Sequence, residues 1–245
     1  MARRPHPGPC TFCLKPTTLL TWDHVLPLSW YPSTTPADLE KWKVPACQDC
    51  NSSNGKVEHG LLGRLGLCLE PDDLNSLGIS HKVLRSLRAE YATSDKDREA
   101  RERKRQKILG ETVTLPSPTT QGLLPNFGAI PGIQYDEYHA ITISEDMLTR
   151  YASKLVRGMS SVLDGVLLPL ETHIGLYLLD PAKSKEVLAL FEQRGEQYHR
   201  GPGIQVTRLV ASDAPASIYH FEIWRRLQFF VSVGPPTAPT PGSAA

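Results

Sequence analysis

The stretch CTFCLKPTTLLTWDHVLPLSW, residues 10–30, decides how the N-terminal third of the chain is read. Cys10 and Cys13 form one C-x-x-C pair, and Cys47 and Cys50, in CQDC, form a second. Two such knuckles supply four thiolates at the bite of a closed tetrahedral zinc site. The gap between them is longer than in a compact zinc ribbon, so the metal would staple together the two ends of an inserted hairpin. The plain alternative is two disulfides or unrelated cysteines, and a reducing compartment disfavours disulfides. A four-thiolate site is full. Zinc held there organises the fold but offers no open position to a substrate or water.

What lies between the knuckles therefore carries any chemistry. In WDHVLPLSW, Trp22, Val25 and Leu26 surround the polar pair Asp23-His24, a pattern that predicts a short strand entering a turn at Pro27. Neighbouring strand residues point to opposite faces, so one of the pair can reach a metal while the other approaches substrate or water. After the second knuckle, NSSNGKVEHGLLGRL predicts a helix opening at Asn51, although Gly55 and Gly60 weaken it. Asn51, Asn54, Gly55, Glu58 and His59 then share one face. Cys68, in GLCLE, reads as a small buried hydrophobe.

The chain has 245 residues, enough for one large domain or two modest ones, and a net charge of only +1. An electrostatic case for nucleic acid must therefore be local. No apolar run approaches the roughly 20 residues that span a bilayer. The start, MARRPHPGPC, has arginines but no apolar stretch behind them, which predicts a cytoplasmic protein with no membrane partner.

Composition predicts an α+β protein in five stretches. Residues 1–79 hold the Cys/His module, and 80–110 read as one extended charged helix with Val83, Leu84, Leu87 and Tyr91 at helical spacing. Residues 81–107 carry ten basic side chains against five acidic ones. That excess suits a phosphate-tracking arm or a solvated helix laced with i,i+4 ion pairs. Residues 111–134, which include LPSPTTQGLLPNFGAIPG, break all periodicity and read as a linker. Residues 135–234 read as a C-terminal α/β domain of unassigned role, and 235–245 as a disordered tail.

Within 135–234, Ser144 followed by Glu145 and Asp146 predicts a capped helix whose apolar stripe is Leu148, Tyr151, Ala152, Leu155, Val156 and Met159. HIGLYLLD reads as a buried strand, and Asp180-Pro181 as the start of a helix running to about Tyr198. GIQVTRLVA reads as a strand. SIYHFEIWRRLQFFVSV reads as one long antiparallel strand, or two in line through a bulge near Arg225-Arg226, with His220, Glu222, Trp224, Arg226 and Gln228 on a face that is more often solvated than binding. Strands that long suit pairing across a two-fold axis, hence a homodimer.

The order C-x-x-C, DH-V-L-P, C-x-x-C-N and a following lysine resembles the zinc-clipped branch of the HNH endonucleases, over about residues 8–66. The resemblance implies a ββα-metal, treble-clef-like zinc module that cuts DNA, with structural Zn²⁺ on Cys10, Cys13, Cys47 and Cys50. It further implies His24 as the general base and Asp23 and Asn51 as ligands of a catalytic Mg²⁺ or Mn²⁺, with His59 as a further metal candidate. Lys56 and Arg64 would then be phosphate contacts. A neutral imidazole can take a proton from water, and an oxygen-ligated divalent ion can neutralise charge building on the scissile phosphate. One departure is plain: the segment YPSTTPADLEKWKVPA lacks the asparagine that orients the base in many such enzymes, leaving Asp38, Lys41 or a backbone carbonyl for the task. The competing expectation is a non-catalytic zinc module that binds nucleic acid or protein, which would need the cysteines but neither Asp23-His24 nor Asn51.

Overall fold

The chain's first fixed point is a tight knuckle, in which the Cys10 N–H donates to Lys15 O at 3.0 Å and the Leu14 N–H returns to Cys10 O at 2.9 Å. Leu14 takes a left-handed conformation to close it (φ 59°). The computed structural model describes residues 4–115, 124, 138–179, 181–211 and 216–235. Strands β1 (Gly8–Pro9) and β2 (Pro16–Thr17) flank the knuckle. Next, β3 (Leu20–His24) and β4 (Lys43–Cys47) pair antiparallel, with Leu20 opposite Cys47 and His24 opposite Lys43. The expected hairpin between the knuckles is therefore present. A bond from the Thr11 N–H to Pro45 O, at 2.9 Å, ties the first knuckle to β4. Cys47 then leads into helix α1 (Gln48–Leu65), which begins before Asn51 and so takes Cys50 into its first turn.

The expected single helix over 80–110 is instead two. Helix α2 (Ile79–Leu87) is separated from α3 (Asp95–Gly110) by a 3-10 turn at Ala89–Tyr91. The cause is a reciprocal cap: Ser94 Oγ accepts from the Asp97 N–H (3.2 Å), and the Asp97 carboxylate accepts from the Thr93 N–H (3.0 Å). The cap satisfies donors that a through-running helix would not leave open, so it sets a new start. Along α3 the charges pair locally, Arg101 with Asp97 at 3.0 Å and Arg103 with Glu99 at 3.4 Å.

Part of the expected linker is a strand, since β5 (Thr112–Leu115) pairs antiparallel with β6 (Tyr138–Ile141). The rest of that linker apart from Glu111 and Leu124, together with Asp180 and residues 236–245 of the tail, lies outside the described residues.

Helix α4 (Glu145–Leu163) is capped as expected, with Ser144 Oγ accepting from the Met147 N–H at 3.3 Å, and its six stripe residues are all buried. Five further strands and a helix follow: β7 (His173–Tyr177), α5 (Pro181–Arg194), β8 (Glu196–His199), β9 (Ile204–Val210), β10 (Ser217–Ile223) and β11 (Leu227–Gly234). They form an antiparallel sheet in the order β7-β11-β10-β9-β8. Strand β7 is an edge strand and half-exposed, not buried as its apolar run suggested. Helix α5 stops at Arg194 rather than near Tyr198, because the chain turns tightly at Gly195. A Cβ there would lie 2.5 Å from Phe191 O.

The expected long strand is a hairpin. Trp224 and Arg225 both have positive φ (57° and 54°), and the Arg226 N–H donates to Ile223 O at 3.2 Å. A turn of this mirror-image kind matches the twist of its strands, but it is usually marked by glycine or asparagine. Here neither marks it, and its three residues preserve the odd-position alternation across the turn. The even face is not simply solvated either, because His220 and Trp224 are buried. Phe191 of α5 packs there, 6.0 Å from the His220 ring and 5.7 Å from Phe230. Tyr151 of α4 meets Phe229 on the other face.

One apolar core runs from Val25 in the N-terminal module to Val233 in β11. At its centre Trp30 stacks on Tyr151 (4.7 Å) and on Trp224 (5.0 Å), and the Trp224 indole N–H donates to Trp30 O at 2.8 Å. Strands β10 and β11 each have a neighbour on both sides, so pairing of this sheet across a two-fold axis would use its edge strands β7 or β8.

Candidate metal centre and the Asp23-His24 site

The sulfurs of Cys10, Cys13, Cys47 and Cys50 all lie within 4.8 Å of one another, and Cys13 Sγ is 3.8 Å from Cys47 Sγ. Tetrahedral zinc with bonds of about 2.3 Å requires sulfurs about 3.8 Å apart, so the four thiols fit the ion. All four are free of disulfides. Burial pushes the Cys10 thiol up, but hydrogen bonds from the Cys13, Cys47 and Phe12 backbone outweigh it and bring the pKa below its usual value. The Cys47 and Phe12 N–H groups reach Cys10 Sγ at 3.3 and 3.4 Å. Cys13 and Cys50 are pushed up, chiefly by burial, so a bound cation would have to draw their protons off. Among the described residues this is the one group of three or more Cys, His, Asp or Glu ligand atoms so close together.

The same staple holds β3 against α1. Asn51 Nδ2 donates to Thr21 Oγ1 (2.9 Å) and to Trp22 O (3.4 Å), and one turn on, Asn54 Nδ2 donates to Asp23 Oδ2 (3.0 Å). Of the two asparagines, Asn54 is the one that touches Asp23. Asp23 is buried, and Glu58, a turn further along α1, is buried beside it.

Between these two carboxylates sits a residue from far along the chain. Lys154 of α4 is 3% exposed, and its Nζ lies 2.6 Å from Glu58 Oε1 and 3.6 Å from Asp23 Oδ1. It donates to Val25 O at 2.9 Å and also to His24 O. The approach depends on Gly158, where a Cβ would sit 3.0 Å from Val25 Cγ2. Burial raises the Glu58 pKa, and Lys154 opposes that shift.

His24 is half-buried at the end of β3, opposite Lys43. Burial lowers its pKa; Asp23 acts the other way, while Lys154, Lys43 and Lys41 add to the lowering. The shift favours the neutral imidazole, the form that can accept a proton. Lys43 lies over the Trp22 ring (4.9 Å) and Lys41 over Tyr31 (5.4 Å).

The remaining sequence candidates divide. Lys56 is exposed on α1. His59 is also exposed, its Nδ1–H donating to Gly55 O at 2.8 Å, and it forms no metal group with Asp23 and Glu58. Arg64, expected to meet phosphate, is buried; it donates to Gly60 O (2.7 Å) and pairs with Glu111 (2.5 Å), so its guanidinium is committed inside the fold. Cys68 is exposed rather than buried. Sequence reasoning missed Lys154, although a signal existed: it falls among Tyr151, Leu155 and Gly158, on the apolar face of its helix.

No protein-family model, no curated protein and no solved structure matches the chain.

Proposed function

We propose that the protein is a metal-dependent endonuclease of the HNH type that hydrolyses phosphodiester bonds in DNA, with His24 as general base. The observation that carries this reading is a half-buried His24 next to a buried Asp23, on a strand braced between a four-cysteine cluster and α1. His24 accepts a proton from the attacking water. Asp23 and Asn51 present oxygen atoms suited to a hard divalent ion, since each Asp23 oxygen keeps a further lone pair and the Asn51 carbonyl is not the atom bonded to Thr21. When bound, Mg²⁺ or Mn²⁺ supplies charge neutralisation at the scissile phosphate. His59 Nε2 is the remaining ligand candidate on the same helix, and Lys56, which is exposed, is the phosphate contact of this reading.

A second reading is favoured by one observation. The Lys154 ammonium already neutralises part of the Asp23–Glu58 charge, which suits a non-catalytic zinc module that binds nucleic acid or protein. Plasmid nicking decides between them. Zinc-loaded protein with Mg²⁺ or Mn²⁺ relaxes supercoiled DNA, and the activity disappears with EDTA and in His24→Ala. A mobility shift without cleavage under either ion selects the second reading.

A further inference from the structure

We infer that Lys154 is a positioning residue for His24, and that the C-terminal part of the chain thereby completes the proposed catalytic site. The inference rests on the nuclease reading above. The segment between Tyr31 and Ala46 contains no asparagine to orient the base. Its two side-chain candidates do not take the role: Asp38 is exposed, and Lys41 is turned onto Tyr31, its Nζ donating to Leu39 O at 3.4 Å.

What braces His24 comes from α4. The Lys154 ammonium is ringed by four oxygens, the carbonyls of His24 and Val25 and the carboxylates of Asp23 and Glu58. Both carbonyls on the C-terminal side of the His24 Cα are therefore pinned, while the Val25 N–H is held by Trp42 O at 2.9 Å. These bonds fix the plane of the 24–25 peptide, and with it the direction of the His24 Cα–Cβ bond and the backbone angles that select among its χ1 rotamers. The carboxylates hold the ammonium in turn. Glu58 on α1 and Asp23 on β3 form a negative socket, and the three donors of the ammonium go to Glu58 and the two carbonyls while its charge also offsets Asp23 at 3.6 Å, which no neutral side chain does. Lys154 is too buried to touch a substrate, so it acts through His24.

The test uses the full chain. Lys154→Met alone strands two carboxylates and risks the fold, so Lys154→Met/Glu58→Gln is made beside it; zinc content and the thermal midpoint confirm that the double variant is folded. The folded double variant cleaves plasmid in single turnover ~10- to 100-fold more slowly than wild type, the usual loss when the partners that orient a catalytic group are removed. KM is unchanged. Three-bond couplings across His24 χ1, at one pH, show a single rotamer in wild type and averaging in the double variant. The coupling readout needs no cleavage, so the two failures separate: a fixed rotamer in wild type that becomes averaged in the double variant, with plasmid uncut by either, sinks the nuclease reading and keeps the positioning. A double variant with wild-type couplings, or with the wild-type cleavage rate, overturns the positioning.

Discussion

Lys154 Nζ and Glu58 Oε1, 2.6 Å apart, join α4 to α1 directly behind the Asp23-His24 strand. Removing one partner of a buried ion pair typically costs ~3–5 kcal/mol, because the other charge stays buried. Lys154→Met therefore lowers stability by about that much in urea unfolding, and adding Glu58→Gln recovers part of it. Strictly additive losses would show that the two side chains do not interact.

The cysteine cluster makes the N-terminal module depend on metal. Elemental analysis finds one zinc per chain, as a single four-thiolate site requires. Because binding energy at structural zinc sites is folding energy, about 10–16 kcal/mol in small zinc peptides, Cys47→Ser loses the ion and lowers the thermal midpoint. Retention of full zinc content in that variant would contradict the site.

Arg64 and Lys56 lie on one helix and separate cleanly. Arg64→Met destabilises the fold by roughly 3–5 kcal/mol through the stranded Glu111, a figure to be reduced because that carboxylate is partly exposed. Under the proposed nuclease reading it leaves DNA affinity unchanged. Lys56→Ala does the reverse, weakening binding across all sequences and reducing the salt slope by about 1. Both are read from denaturation and from salt-dependent binding curves.

His220 produces a pH dependence. Burial lowers its pKa from 6.5 to about 4, so the folded state keeps the ring neutral where the unfolded state binds a proton. Its contribution is complete above pH 6.5 and is lost as the pH falls through the folded value near 4, amounting to roughly 3 kcal/mol. His220→Phe, which keeps the stack on Phe230, flattens that part of the stability–pH curve; an unchanged slope would assign it to other groups.

Local signals are legible in the sequence. Ser144 and the α4 stripe were plain, because a cap and a 3.6-residue period lie within a few turns of each other. The break between α2 and α3 was also local, but a charged run good at forming helix concealed the Ser94–Asp97 cap. The Trp224-Arg225 turn was concealed more completely. It adopts left-handed backbone without glycine and keeps the strand alternation in phase, and Trp224 is held in place by Trp30, a residue close only in space. Lys154 had a faint signature as a lysine on an apolar face, yet its partners Glu58, Asp23 and the His24 carbonyl belong to distant segments.

By itself the sequence determined the four-cysteine staple, the hairpin between its halves, the helix carrying Asn51 and the amphipathic α4. Each depends on residue spacing within a short window. Only the tertiary structure decided that Arg64 is an internal ion-pair partner, that Asn54 reaches Asp23, and that an ammonium from α4 braces His24. A charge buried between segments far apart in the chain has no local period to announce it, and its partners follow from how the core closes.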